Sequence, residues 1–189
     1  MSRLILASTS PRRRDLLQQV GLVFDMVAPV YEEDMTLPLS VDKLAVHLAL
    51  GKANAVAQHH PNVVVIGGDT FVEIDGELLG KPTSPENAVA TLQRLSGKIN
   101  RVHTGWAVVR DDRTESGFVT SSVHMRTLTI EEATAYVSTG EPLDKAGSYA
   151  VNGIGAIFVD RFEGDFSAAI GLPLSPVVEA VRSFGITVL

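Results

Sequence analysis

The run Val63-Val64-Val65-Ile66 is the feature that most constrains this chain. Four consecutive β-branched residues are stiff at χ1, so they favour an extended backbone buried on both faces. A central buried strand needs cover on each side, and the flanking sequence supplies helices. Ser40 is expected to cap a helix running to about His59, because Leu44, Ala45, Leu48, Ala49, Ala53, Val56 and Ala57 recur with helical spacing. Beyond the run, Phe71-Val72-Glu73-Ile74 alternates, and Asp75-Gly76 is a hairpin turn signal.

The same alternation runs through the rest of the chain. Leu4-Ile5-Leu6-Ala7 reads as a short buried strand. A helix follows from Pro11 to Val20, with Ser10 as N-cap, Pro11 at its first position and Gly21 as its stop. Ser84-Pro85 opens another helix, with Gly97 just past its end. Val102 to Val109 and Phe118 to Met125 alternate as strands around the turn at Asp111-Asp112-Arg113. Thr129-Ile130-Glu131-Glu132 has capping-box spacing, and that helix stops at Gly140. Ala156-Ile157-Phe158-Val159 reads as a strand, and Ser175-Pro176 starts a last helix ending at Gly185. Strands and helices in this mixed order give an α/β class with a mixed sheet. No repeat or linker interrupts it, so residues 1–189 are expected to form a single domain or two intimately packed lobes.

Composition narrows the function classes. Hydrophobic residues make up 45% of 189, enough for a real core. The net charge of -6 argues against a general nucleic-acid coat, which needs a basic field. The absence of cysteine excludes disulfides, thiol catalysis and cysteine-type metal sites. No apolar run approaches the roughly 20 residues of a membrane span, and residues 3–7, followed by a charged segment, are too few for a signal-peptide core. The expectation is a soluble, cytoplasmic protein with neither a membrane nor a nucleic acid as partner.

The corner from Ser8 to Arg14 breaks a local rule. A helix N-terminus carries partial positive charge, yet Arg12, Arg13 and Arg14 occupy the first turn. An anion removes the conflict: a phosphate takes N–H groups from the helix start, hydroxyl bonds from Ser8 or Ser10, and a forked arginine contact. A solvated basic helix end with a serine cap is the plain alternative. The glycines of a Walker loop are absent.

Other charged groups fall where chemistry can use them. Asp69, in Gly67-Gly68-Asp69-Thr70, is placed at the end of the buried run, a position suited to a metal ligand or general base. Lys52 lies on the apolar stripe of its helix, where it either snorkels or points at a buried anion. Gly80-Lys81-Pro82 fixes a lysine in a loop. Glu32-Glu33-Asp34 is an acidic cluster of the kind that suits Mg²⁺ or Mn²⁺, with a solvated charge run as the alternative. The histidines, at 47, 59, 60, 103 and 124, form no zinc-hydrolase pattern, and no Gly-x-Ser-x-Gly elbow is present. Cations and carboxylates remain, which fits phosphoanhydride hydrolysis.

Taken in order, Leu4 to Arg13, Glu32-Glu33, Lys52-Ala53, Gly68-Asp69-Thr70, Gly80-Lys81-Pro82, Leu95-Ser96-Gly97, His103-Thr104-Gly105, Gly140-Glu141-Pro142, Lys145-Ala146-Gly147 and Ile170 to Pro173 resemble the Maf family of nucleotide pyrophosphatases, along essentially the whole chain. The resemblance implies a two-lobed fold related to the inosine triphosphatase-like pyrophosphatases, with a central cleft. It implies divalent-metal-dependent cleavage between the α- and β-phosphates of a nucleoside triphosphate, and a homodimer. It assigns Asp69 as general base and metal contact, Glu33 to the metal, and Ser8, Arg13, Lys52 and Lys81 to the triphosphate. Arg12, Thr70 and residue 152 fall where the family tunes base choice. Arg12 and Thr70 are similar to the branch that prefers dTTP and UTP, while Asn152 stands where that branch carries glutamine. A 7-methyl-GTP or broad modified-nucleotide pyrophosphatase is the alternative within the class. A non-catalytic regulatory or RNA-binding module is the alternative outside it.

Overall fold

The structure is a computed structural model that describes residues 4–188. The described chain forms two compact units. The first comprises residues 4–70, 104–119 and 171–188, and the second Phe71–His103 and Thr120–Ile170.

In the first unit β1 (Leu4–Leu6) pairs in parallel with β2 (Asp25–Met26) on one side and with β3 (Val64–Ile74) on the other. Helix α1 (Pro11–Gln19) connects β1 to β2, and α2 (Val41–Ala57) connects β2 to β3. The expected start of α1 is present in detail: the Ser10 hydroxyl accepts from the Arg13 N–H, Pro11 opens the helix, and Gly21 takes φ +75° just beyond it. Ser40 precedes α2 without a side-chain cap bond, and α2 stops at Ala57, two residues short of His59.

Two elements run longer than their sequence patterns suggest. β3 does not end at Ile66 but continues through Gly67-Gly68-Asp69-Thr70 into the alternating segment, with its first half in the first unit. β5 (Ile99–Arg110) and β6 (Arg113–Met125) also extend across both expected strands, meeting at the Asp111-Asp112 turn. Asp69 is accordingly a mid-strand residue rather than a strand-end one. The two glycines do not break the strand; they thin it. A Cβ on Gly67 would overlap the Ala49 carbonyl of α2, and one on Gly105 would overlap Ala45 of the same helix. The helix thus lies directly on β3 and β5, over a core of Ile5, Ala49, Ala53, Val56, Val65 and Ala107.

In the second unit β4 (Glu77–Leu79) pairs antiparallel with the end of β3, through a turn in which Asp75 and Gly76 both have positive φ. β7 (Val159–Glu163) pairs antiparallel with β6. Helices α3 (Pro85–Leu95) and α4 (Ile130–Ser138) pack over these strands around Leu92, Val102, Val123, Tyr136 and Phe158. Both expected caps form: Ser84 Oγ accepts from Asn87 N–H, and Thr129 and Glu132 complete a reciprocal capping box. The segment expected as a strand at Ala156–Val159 is instead a short 3₁₀ helix, Ile154–Phe158, with the strand beginning at Val159. Phe158 uses that turn to bury its ring against Tyr136 at 5.1 Å. α5 (Phe166–Ile170) is a single short turn, and α6 (Leu174–Ser183) returns the chain to the first unit, opening one residue before Ser175. The sheet is mixed, with parallel and antiparallel pairings, as the α/β class required. No helix among the described residues is long and apolar enough to cross a membrane.

The close approach at Gly67 gives the first prediction. Gly67→Ala should force α2 off β3, costing about 2 kcal/mol or more by overpacking and lowering Tm by about 4–8 °C. Thermal unfolding followed by circular dichroism measures it. An unchanged Tm would mean that the helix does not rest on the strand here.

Candidate active site

The N-terminal corner begins where β1 ends. Ala7 N–H donates to the Ile66 carbonyl at 2.8 Å, so the chain enters Ser8 beside the Gly67-Gly68 stretch of β3. Ser8 is buried, and its Oγ accepts from Ser10 N–H at 3.1 Å and from Arg13 Nη1 at 3.3 Å. Arg13 reaches further. Its Nε donates to the Gly171 carbonyl at 2.9 Å and its Nη2 to Thr70 Oγ1 at 3.3 Å. Thr104, fully buried on β5, donates to the same Thr70 hydroxyl at 3.2 Å.

The three arginines therefore have different surroundings. Arg14 is exposed and paired with Asp15 at 2.7 Å, which answers its charge locally. Arg13 turns inward and ties the corner to β3 and to the Gly171 loop. Three of the five N–H groups of a guanidinium are used in this brace, leaving two for an anion. Burial lowers the Arg13 pKa, and the Asp69 carboxylate opposes that shift. Arg12 sits half-buried on the first turn of α1.

A second group of charges is built on α2 and β3. Lys52 is on the buried side of α2, only 9% exposed, and Asp69 on β3 is 8% exposed. Lys52 Nζ donates to Asp69 Oδ1 at 2.8 Å and pairs with Glu33 Oε1 at 2.9 Å. Of the two readings of Lys52, snorkelling is thus set aside: its ammonium points at buried and half-exposed carboxylates. Two close contacts make this reach possible. Gly67 brings α2 onto β3, and Gly51 leaves room for the Tyr31 ring, where a Cβ would overlap it. Tyr31 docked on Gly51 delivers Glu33, two residues on, to Lys52.

The acidic cluster at 32–34 does not act as a unit. Only Glu33 faces Lys52; Asp34 instead accepts from Thr36 N–H and Oγ1 at 2.8 and 2.6 Å, closing a local turn. Among the described residues no group of three or more His, Asp or Glu side chains is arranged to hold a metal. The atom that fits a cation is Asp69 Oδ2, a buried carboxylate oxygen with no hydrogen-bond partner among the described residues. Glu33, on the same Lys52 ammonium, is the second carboxylate available to such an ion. A hard divalent ion that keeps waters and takes its remaining ligands from phosphates needs no more than that.

Ser8, Arg12, Arg13, Glu33, Lys52, Asp69 and Thr70 all belong to the first unit. Lys81 and Asn152 belong to the second. Lys81 is exposed on the segment between β4 and α3, and its neighbour Gly80 accepts from Gly147 N–H at 3.2 Å. Asn152 is exposed in a turn between two short 3₁₀ helices. Thr104 and the Gly171 carbonyl join the site without a signal in their residue types. A backbone acceptor carries no sequence signal, and a buried threonine in a strand is indistinguishable from a packing residue.

This is an α/β protein whose paired buried charges and braced helix N-terminus suit phosphate chemistry. The family model described as Maf-like protein matches residues 3–184, and the chain belongs to that family. It is 44% identical over 187 residues to the dTTP/UTP pyrophosphatase of Bacillus pumilus (strain SAFR-032), covering 99% of each chain. It is 42% identical over 188 residues to the dTTP/UTP pyrophosphatase of Bacillus thuringiensis subsp. konkukian (strain 97-27), covering 100% of this chain and 98% of that one. Among solved structures, the Ham1 protein of Staphylococcus aureus matches with a TM-score of 0.48 and 18% identity, over 66% of this chain and 72% of that one, too slight a likeness to carry an argument.

The Lys52–Asp69 pair is testable as a buried ion pair. Lys52→Met strands the Asp69 carboxylate and should cost about 3–5 kcal/mol in urea denaturation. The double variant Lys52→Met/Asp69→Asn, with no buried charge left unpaired, should recover a substantial part of that loss. Additive losses in the cycle would show that the two groups do not interact.

Proposed function

We propose that this chain hydrolyses a nucleoside triphosphate, dTTP or UTP, to the nucleoside monophosphate and pyrophosphate. The observation that carries the chemistry is the asymmetric Asp69 carboxylate. Oδ1 is engaged by Lys52, while Oδ2 is buried and without a hydrogen-bond partner among the described residues. The carboxylate thus keeps accepting capacity that Lys52 does not use, as a general base needs. The substrate class is supported by the names of the relatives, each a dTTP/UTP pyrophosphatase matched over nearly its full length.

In the proposed reaction the triphosphate lies against the N-terminus of α1, where the backbone N–H groups and the two remaining Arg13 N–H groups neutralise it. A water oxygen attacks the α-phosphorus. The bond from that phosphorus to the α,β-bridging oxygen breaks, pyrophosphate leaves with the bonding electrons, and the water proton passes to the Asp69 carboxylate. Lys52 holds the carboxylate in place through Oδ1 and keeps Glu33 beside it. A divalent cation, Mg²⁺ or Mn²⁺, would be held by Asp69 and Glu33 and would supply neutralisation of phosphate charge. Lys81 is read as a further triphosphate contact, and Arg12, Thr70 and Asn152 as residues that set base choice, all by family resemblance. Thr70 acts in this reading through its place in the Arg13–Thr104 brace. A cytoplasmic setting and a homodimer belong to the same proposal.

Asp69→Asn keeps the shape of the side chain but removes its basicity. It should lower kcat by at least about 10²–10⁴-fold in a pyrophosphate-release assay with Mg²⁺ or Mn²⁺, while equilibrium binding of dTTP persists. Near-normal turnover in that variant removes Asp69 from the role of base. A panel of triphosphates in the same assay tests the substrate: turnover greatest with dTTP and UTP is expected, and a preference for 7-methyl-GTP would replace that assignment.

A further inference from the structure

In the second unit one carboxylate gathers the backbone on both sides of Asn152. Glu141 opens the 3₁₀ helix Glu141–Asp144, directly after Gly140, which takes φ +79°. Its Oε1 accepts from Ile154 N–H at 3.0 Å, and its Oε2 accepts from Gly155 N–H at 3.0 Å and from the Tyr136 hydroxyl at 2.7 Å. The Tyr136 oxygen in turn accepts from Ala150 N–H at 3.1 Å. Gly153 passes so near that a Cβ there would overlap Glu141 Oε1. The clasp is protonated as it needs to be. Burial and the Glu141 hydrogen bond push the Tyr136 hydroxyl well up, so it stays a donor. Burial pushes the Glu141 carboxyl up, but the hydrogen bonds from Tyr136, Gly155 and Ile154 hold it below the ordinary value, so it stays an acceptor.

We infer that Glu141 is a positioning residue for base selectivity, acting by fixing the backbone at residues 150, 154 and 155 so that the exposed side chain of Asn152 is presented in one place. The inference rests on the reading of Asn152 as a base-choice residue. A turn between two short 3₁₀ helices has little regular hydrogen bonding of its own, and its order must come from outside. Here the order comes from a single charged acceptor, with charge-assisted bonds stronger than neutral ones. The side-chain bonds of the clasp do not involve Lys81; on that side Glu141 offers only its backbone carbonyl, which accepts from Lys145 Nζ at 2.6 Å. Its neighbour Gly80 is tied to the chain at Gly147, and Tyr149 is anchored separately by its hydroxyl, which donates to Asn100 Oδ1 at 2.8 Å. Loosening Glu141 therefore disturbs residues 150–155 and spares the Lys81 side of the segment.

The test compares Glu141→Gln, Glu141→Ala, Tyr136→Phe and Asn152→Ala in the full chain. Each is assayed by pyrophosphate release with dTTP, UTP, dCTP and GTP, and by competition with inorganic tripolyphosphate, which has no base. Glu141→Ala should lower kcat/KM for the preferred triphosphate by about ten- to a hundredfold, chiefly through KM, and flatten the ratio between bases. Tripolyphosphate inhibition should be unchanged. Glu141→Gln retains the acceptor for Ile154 and should fall between; Tyr136→Phe, which keeps the carboxylate and its core ring, should shift the ratio in the same direction even if Glu141→Ala does not fold. A changed ratio in Asn152→Ala beside unchanged ratios in the folded Glu141 and Tyr136 variants overturns the positioning role and leaves the base-choice reading standing. An unchanged ratio in Asn152→Ala overturns both. A loss of tripolyphosphate inhibition in the Glu141 and Tyr136 variants overturns positioning of the base side alone.

Discussion

The ammonium of Lys52 is the interaction on which the charged centre of the first unit depends. It is buried between two carboxylates, and its position fixes theirs. Such an arrangement is a poor device for stability, because removing a lysine and an aspartate from water costs several kcal/mol per ion before their attraction returns any of it. Its presence is better explained by what it does to Asp69. One oxygen is held and the other is left without a partner, so a buried carboxylate acquires a direction. Arg13 and Arg12 lie in the same field, so the cations there answer both carboxylates before any ligand arrives. A triphosphate brings several further negative charges. The N-terminus of α1 and the spare Arg13 donors answer part of this charge. The remainder is the physical reason why a divalent cation belongs with the proposed reaction.

The backbone makes this possible by being thin in the right places. Lys52 reaches Asp69 because α2 rests directly on β3 at Gly67, and Glu33 reaches Lys52 because Tyr31 fits over Gly51. Neither contact involves a charged group. The electrostatic centre is therefore set by steric tolerances of two missing methyl groups, one under the helix and one on its outer side. Arg13 has the same character. Its conflict with the helix dipole is real, but its nearest partners are the Ser8 and Thr70 hydroxyls and the Gly171 carbonyl, none of them an anion. It braces the corner first and offers its remaining donors second.

What was legible in the sequence divides along the same line. Features set by neighbours in the chain were readable: the Ser10, Ser84 and Thr129 caps, the glycine stops, the Asp75-Gly76 turn, and the placing of Lys52 on the buried stripe of α2. Features set by distant contacts were not. Gly67-Gly68 reads as a strand ending, yet the strand runs on with Gly67 against α2 and Gly68 against Arg13 and Leu172, so Asp69 lies in its middle. Ala156-Ile157-Phe158 has the composition of a strand, but the burial of Phe158 against Tyr136 wins over propensity and winds it into 3₁₀ helix. Glu33 and Asp34 look alike as adjacent acids, and only the docking of Tyr31 separates them. Lys81 and Asn152 show nothing in their own spacing that assigns a role; family resemblance alone singled them out.

The second unit answers a different problem from the first. In the first unit the identity of a side chain and its position are inseparable, since the partner of Asp69 binds its side chain. Around Asn152 they are separable. The groups clasped by Glu141 and Tyr136 are backbone N–H groups at 150, 154 and 155, which exist whatever side chain stands at 152. The turn can therefore hold its shape while the residue it presents changes. A longer or shorter side chain at 152 changes its reach without disturbing any bond that places the backbone. Such a change costs folding little, whereas replacing Lys52 alone strands the buried Asp69 carboxylate.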